Sequence, residues 1–408
     1  MKILVLNAGS SSQKSCLYEV AGEQLPAQPP PPLWEASVDW SGHPGFSEIV
    51  IKTSAGIKHT DSLSTQDRSA VMDHLLASLW QGETRVIESL EKIDVVGHRV
   101  VHGGQDYRQS VLITETVKEA IARLSTLAPI HNPANLAGIE AIEKILGIDI
   151  PQVAVFDTAF HSQLPEAAAT YPVPYEWVEQ GIRRYGFHGI SHEYCAQRAA
   201  QLLNRELNDL RLIICHLGNG CSLSAVKQGH SIDTTMGFTP LDGLMMGTRS
   251  GAVDPGIIIY VMQTQGISAQ EIDRLLNKAS GLQGISGLSG DMRQILGAIA
   301  AENPRARLAF DIYIHRLRSC IGAMLASLGG LDALVFTAGV GENATPVRAA
   351  ACEAFEFLGL KIDPHKNESR PVDQDIATAD STFRVWVIHT QEDWAIAQSC
   401  WQIVGRQT

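Results

Sequence analysis

The segment Ile3-Leu4-Val5-Leu6-Asn7-Ala8-Gly9-Ser10-Ser11-Ser12 has a near twin in Leu212-Ile213-Ile214-Cys215-His216-Leu217-Gly218-Asn219-Gly220-Cys221-Ser222. Each is a run of strand-forming residues that stops at a polar side chain and a glycine. Each then continues in small hydroxyl or amide residues. The two segments stand about half a chain apart. A glycine lets the backbone bend sharply and approach a bound group closely. The small polar residues beside it offer N–H and O–H donors to an anion. Two such turns at equivalent places in two halves predict two jaws closing on one polyphosphate.

The 408 residues allow two or three domains. With 45% apolar and 19% charged residues, and mean hydropathy near zero, the chain reads as an ordinary globular protein. Its net charge of −12 disfavours general binding to nucleic acid or to an anionic membrane. A local basic site for a phosphate stays compatible with that charge. No apolar stretch reaches 18 residues, so no transmembrane helix is expected. The apolar run after Lys2 is too short for a signal-peptide core. The expected location is the cytoplasm. Seven scattered cysteines without a C-x-x-C pair argue against a disulfide framework or a zinc site.

Strand candidates recur at 2–6, 94–101, 152–156, 211–217, 333–337 and 384–388. Helix-like stretches lie between several of them, at 66–80, 114–127, 135–146, 191–203, 268–278, 291–302 and 305–328. This alternation predicts an α/β chain. Residues 26–32, rich in proline, read as an extended surface loop. A first domain is expected to end near residue 157. A helical tail from Trp394 is expected to pack back onto it.

Several segments carry candidate chemistry. Gly9-Ser10-Ser11-Ser12-Gln13-Lys14-Ser15 lacks the second glycine of a Walker A loop, and a strand is expected to follow it. A β-hairpin phosphate loop fits better, and a plain polar turn fits as well. Gly97-His98-Arg99-Val100-Val101-His102-Gly103-Gly104 places an arginine on an apolar strand. Arg99 there is either a salt-bridged strand residue or an anion clamp, since a guanidinium forks onto carboxylate or phosphate oxygens. Arg249, in the glycine-flanked loop 243–251, is either a surface residue or a second clamp. Asp157 and Glu392 both follow strand ends. Together they read as a candidate Mg²⁺ pair, or separately as a helix cap and a solvated charge. His188 stands between Gly186 and Gly189 as a structural or a catalytic imidazole. Segments 287–293 and 337–343 read as nucleotide-related turns of low individual specificity.

Taken in order, these segments resemble the acetate kinase family, within the larger group of acetate and sugar kinases, heat-shock chaperone ATPases and actin. The resemblance rests on residues 7–12, 97–104, Ala128-Pro129-Ile130-His131-Asn132-Pro133, Phe156-Asp157-Thr158-Ala159-Phe160-His161, 185–189, 216–220 and 246–251, and it covers nearly the whole chain. It implies two domains of duplicated ribonuclease-H-like (actin-like ATPase) topology with an active-site cleft between them. The domains would be 1–157 completed by 394–408, on the acceptor side, and 158–393, binding nucleotide. It implies a homodimer and reversible transfer of the ATP γ-phosphoryl group to acetate, giving acetyl phosphate and ADP with Mg²⁺ or Mn²⁺.

By the same resemblance Asn7, Arg99, His131, Asp157, His188 and Arg249 are catalytic, and Asn7, Asp157 and Glu392 hold the metal. Arg99, Val101, Ile130, Phe187 and Pro240 would bind acetate. Lys14, His216, Leu217, Gly218, Asn219 and Gly220 would meet the phosphates. Asp291, Met292, Arg293, Gly339, Val340, Gly341, Glu342 and Asn343 would take the adenosine side. The chain departs from the family at Ile130, usually leucine, at Cys221, at Ala252, at Gln391 and Asp393, and in the proline run. None of these removes a proposed catalytic side chain. They leave propionate or another short acid as an alternative acceptor. An actin-like or chaperone-like ATP switch is the alternative of a different class, though it leaves Arg99 and Arg249 without a role.

Overall fold

The computed structural model describes residues 1–9, 12–22, 24–40, 45–65 and 67–405, with the backbone alone at 12, 68 and 69. The chain divides into two compact units. The first is Met1–Ala159 with Gln391–Thr408, and the second is Phe160–Thr390.

The first unit carries β1 (Lys2–Ala8), β2 (Ser12–Glu19), β3 (Trp34–Asp39), β4 (Ser47–Thr53), β5 (Lys58–Leu63), β6 (Val95–Val100), β7 (Val111–Leu112) and β8 (Gln152–Phe156). They form one sheet in the order β5-β4-β3-β2-β1-β6-β8-β7. The second unit carries β9 (Arg211–Leu217), β10 (Cys221–Lys227), β11 (His230–Thr234), β12 (Ala333–Thr337), β13 (Gln374–Asp375) and β14 (Arg384–Val387). Their order is β11-β10-β9-β12-β14-β13. In each sheet the first two strands in the chain form an antiparallel β-hairpin, β1–β2 or β9–β10. Its first strand then runs parallel to two later ones, β6 and β8 or β12 and β14. The duplicated topology implied by the sequence is therefore present.

Hydrophobicity explains which strands sit where. β8 and β12 are buried along their whole length, as is almost all of β9. Parallel strands covered on both faces need such continuous apolar runs. β3 and β4 bury mainly alternate residues, and β5 is polar and mostly exposed at the sheet edge. Strand β2 is the one expected after the first glycine turn; β3 to β5, β7, β10, β11 and β13 were not among the sequence expectations. Their polar alternation, or their position inside a turn motif, hides them.

In the first unit one core gathers Leu4, Leu17, Trp34, Ile49 and Leu75 with the helix Arg68–Ala77, and a second joins Val100, Ile121, Ile139 and Phe156. The closing helix, Glu392–Val404, packs on β1, β6 and β8. A Cβ on Gly97 would stand 2.6 Å from both Cys400 Sγ and Ile396 Cγ2, so the glycine is what lets this helix approach β6. The helix also brings Glu392 into the first unit, where the sequence reading had placed it in the second domain. In the second unit the 25-residue helix Pro304–Leu328 contacts β9, β10 and β11. Residues 26–32 form neither helix nor strand. Among the described residues, no helix is long and apolar enough to cross a membrane.

Candidate active site

In the first unit the site begins with Arg99 on β6. Its Nη2 donates to Asp157 Oδ2 at 2.9 Å, and Nη1 donates to the carbonyl of Ala8 at 3.2 Å. Nε is buried and has no partner among the described residues. Burial alone would lower the guanidinium's pKa, but Asp157, Glu392 and Asp393 override it and raise it. A buried cation needs such company. Asp157 follows β8 directly, and β6 and β8 run parallel, so two strand ends deliver the pair.

Asn7, near the end of β1, donates through Nδ2 to Asp393 Oδ1 at 2.8 Å and to Glu392 Oε2 at 3.3 Å. Both acids lie in the first turn of the closing helix, where the helix dipole favours negative charge. Burial raises the Asp393 carboxyl above its ordinary value, while the Asn7 hydrogen bond and the Lys14 charge oppose it. Lys14 is exposed and pairs in register with Asn7. It therefore stands in the first unit, apart in the chain's division from the other predicted nucleotide residues. Ser10 and Ser11 lie outside the described residues.

His131 stands at the N-cap position of the helix Asn132–Leu146. From that helix Asn135 Oδ1 accepts from Val101 N at 3.1 Å, and Asn132 Oδ1 accepts from His102 N at 3.1 Å. These bonds hold the strand-end segment after Arg99. Val101 is buried, whereas Ile130 is 56% exposed.

In the second unit His188 adopts φ 57°, a conformation that L-residues avoid, at the N-cap of the helix Gly189–Leu203. Its ring stacks on His216 with centroids 4.2 Å apart. His216 Nδ1 is 2.8 Å from Ser191 Oγ. Phe187 is buried, and its carbonyl accepts from His161 Nε2 at 3.1 Å. Arg249 Nη1 donates to the Pro240 carbonyl at 3.2 Å and approaches Met246 sulfur at 3.9 Å. Neither partner is charged, and burial lowers this guanidinium's pKa.

The turn Gly218-Asn219-Gly220 collects these groups. A Cβ on Gly220 would sit 3.3 Å from His188 Nε2 and 3.5 Å from Arg249 Nη1, and one on Gly218 would sit 3.7 Å from His216 Nε2. The missing side chains leave two imidazoles and a guanidinium facing the turn. Beside it lies a cavity of about 750 Å³, lined by Gly218, Asn219, Asp291, Met292, Arg293, Gly339, Val340 and Asn343 among others. Three segments distant in sequence thus meet on one void of ligand size. Asp291 caps the helix Met292–Ala300 and pairs with the exposed Arg293. Leu217 is buried at the end of β9. Gly341 and Glu342 do not line the cavity. Glu342 accepts from Ala338 N at 2.9 Å and Thr390 N at 3.2 Å, so its carboxylate braces the loop from within.

Sequence reasoning missed Asp393, Ser191, His192 and Ser222 as site residues. Asp393 had a signal in its neighbour Glu392, and Ser222 lay inside the second glycine turn. It also missed Arg348, a fully buried guanidinium donating to the carbonyls of Gly341 at 2.9 Å and Glu342 at 2.8 Å beneath the cavity loop.

The Acetokinase family profile matches residues 2–398. A protein named acetate kinase from Nostoc sp. is 66% identical over 406 residues, spanning 100% of both chains. The crystal structure of an acetate kinase from Porphyromonas gingivalis superposes with a TM-score of 0.90 at 42% identity, covering 99% of each chain. A propionate kinase from Francisella tularensis gives 0.89 at 40% identity, covering 99% of this chain and 100% of that one. On the site's geometry and on these full-length likenesses, the chain belongs to the acetokinase family.

Proposed function

We propose that the chain is an acetate kinase, moving the γ-phosphoryl group of ATP reversibly to acetate. The observation that carries this reading is Arg99, held by Asp157 on one nitrogen and with a buried Nε unspent among the described residues. A guanidinium fork of that kind suits a carboxylate. Acetate is already ionised near pH 7, since carboxylates titrate at about 4. No general base is then required. One acetate oxygen bonds to the γ-phosphorus while the bond to the β–γ bridging oxygen breaks, and ADP leaves with that electron pair. Asp157 orients Arg99 and accepts no proton.

His188 Nε2 and Arg249 Nη1, facing the turn at Gly220, supply donors and charge to the transferring oxygens. The cavity beside that turn takes the adenosine. Asn7, Glu392 and Asp157 offer oxygen ligands alone, which fits a hard cation such as Mg²⁺ or Mn²⁺. Such an ion, when bound, neutralises phosphate charge. Among the described residues no group of three His, Cys, Asp or Glu is arranged around a metal point. Mg²⁺ commonly takes only one or two protein carboxylates, its other ligands being water and phosphate.

Two further parts belong to the proposal. A homodimer is supported by the helix Pro255–Gln265, which is strongly apolar yet has no buried residue. A cytoplasmic location is supported by seven cysteines that are all free thiols. Propionate stands as second acceptor, favoured by the near-equal likeness to the Francisella enzyme.

The test is an acyl-phosphate (hydroxamate) assay with ATP, Mg²⁺ and a panel of short acids. Acetate is expected to show the highest kcat/KM. A higher value for a longer acid reassigns the acceptor. ATP hydrolysis that ignores every acid, with no acyl phosphate formed, sinks the reading in favour of an ATP switch.

A further inference from the structure

The Ser222 hydroxyl stands between two imidazoles, with Oγ 2.9 Å from His188 Nδ1 and 2.7 Å from His192 Nε2. A hydroxyl has one proton and two lone pairs, so it donates to at most one of them and accepts from at least one. His192 settles which. Its ring is fully buried, and burial, with the nearby His161 and His216, holds its pKa well below the ordinary value. It is therefore neutral and carries one N–H. Its Nδ1 has no hydrogen-bond partner among the described residues. A proton on Nδ1 would leave a buried donor unsatisfied, the rarer and costlier deficit; a bare lone pair there is the lesser one. The proton accordingly sits on Nε2 and is donated to Ser222 Oγ. Ser222 is fully buried, so its own proton also needs an acceptor, and it is donated to the other ring, at His188 Nδ1. With Nδ1 an acceptor, a neutral His188 carries its own proton on Nε2, the nitrogen that faces Gly220.

We infer that His192 and Ser222 are positioning residues that lock His188 in its Nε2–H tautomer, so that it presents a donor, and never a lone pair, to the turn at Gly218–Gly220. A second hydroxyl–imidazole pair repeats the logic one residue away. His161 Nε2 meets the Phe187 carbonyl, which only accepts, so it is the protonated nitrogen. Its Nδ1, 2.8 Å from Ser231 Oγ, accepts a hydrogen bond from that hydroxyl. Backbone position 187 and ring 188 are thus both oriented by serine-set imidazoles. The strained backbone of His188 holds the ring where Ser222 can reach it. The catalytic consequence rests on the phosphoryl-transfer reading: a lone pair aimed at an anionic phosphoryl oxygen would repel it, whereas an N–H stabilises it. The tautomer itself does not depend on that reading.

The test uses the full-length chain labelled with ¹⁵N-histidine, with His188 assigned by difference against His188→Gln. The unaltered protein is expected to show His188 with a protonated Nε2 and a bare Nδ1. In Ser222→Ala that signature is expected to be lost and kcat to fall about 10-fold to 100-fold, with both KM values within about threefold. Ser222→Thr is expected to restore both. A protonated Nδ1 in the unaltered protein overturns the inference, whether or not any variant folds. So does a folded Ser222→Ala that keeps kcat within about threefold, or keeps the Nε2–H signature. If the unaltered protein forms no acyl phosphate, the functional reading fails while the spectrum still decides the relay.

Discussion

Arg99 and Arg249 keep different electrostatic company. Arg99 has Asp157, Glu392 and Asp393 around it, enough to outweigh the cost of its burial. Arg249 has a carbonyl and a thioether, and burial lowers its pKa with only the Cys221 thiol acting against it. A desolvated cation with no counter-charge is one that a bound anion stabilises. Arg249→Ala is therefore expected to lower kcat by about 10³-fold without changing the melting temperature. Steady-state kinetics beside a melting curve checks this, and near-normal kcat would remove Arg249 from the phosphoryl site. Both arginines were legible in the sequence because each breaks its surroundings, one an apolar strand and the other a glycine loop. Ser222 and His192 broke nothing. Ser222 is a small polar residue where small polar residues were expected, and His192 lies inside a helix with no local sign that both rings share one hydroxyl.

The two glycine turns each join an antiparallel strand pair. β1 and β2 pair Ala8 with Gln13. β9 and β10 pair Leu217 with Cys221, leaving 218–220 in the turn. This second turn is the one against which His188, His216 and Arg249 gather. The buried parallel strands announced themselves by continuous apolar runs. β3, β4 and β5 did not, because a half-exposed antiparallel strand mixes Ser, Glu, Lys and Thr into its pattern.

The helix Pro255–Gln265 escaped notice for the opposite reason. It is apolar on every side, like a core helix, yet Ile257, Ile259 and Tyr260 are all more than half exposed. A patch of this kind marks a contact surface. If it is the subunit contact, Ile259→Lys should convert a dimer to a monomer in sedimentation at unchanged helix content. A dimer that survives the charge, or a native chain that sediments as a monomer, removes this helix from any subunit interface.

At the scale of the whole molecule, buried histidines tie stability to pH. Burial pushes His98 and His102 down to about 4 from the ordinary 6.5. Folded, they stay neutral; unfolded, they take up protons below about 6.5. Between pH 6.5 and 4 the unfolded chain thus binds more protons, and stability falls as pH falls. Each contributes about 3 kcal/mol, fully present above pH 6.5 and lost towards pH 4. The melting temperature should be level above pH 7 and drop steeply below 6.5. A flat profile down to pH 4 would show that these imidazoles are charged, or reach water, in the native state.

By itself the sequence determined the repeated strand–turn–strand hairpin of each half, the main buried strands and helices, and which arginines, histidines and carboxylates are candidates for the chemistry. Those features are local: apolar period, turn glycines and a charge out of place all lie within a few residues of one another. Only the tertiary structure decided that Asp157 answers Arg99, that Asn7 meets Glu392 and Asp393 from the far end of the chain, and that one serine stands between two imidazoles. A hydrogen bond selects its partner within about 3 Å in space, and no period along the chain records which distant side chain arrives there.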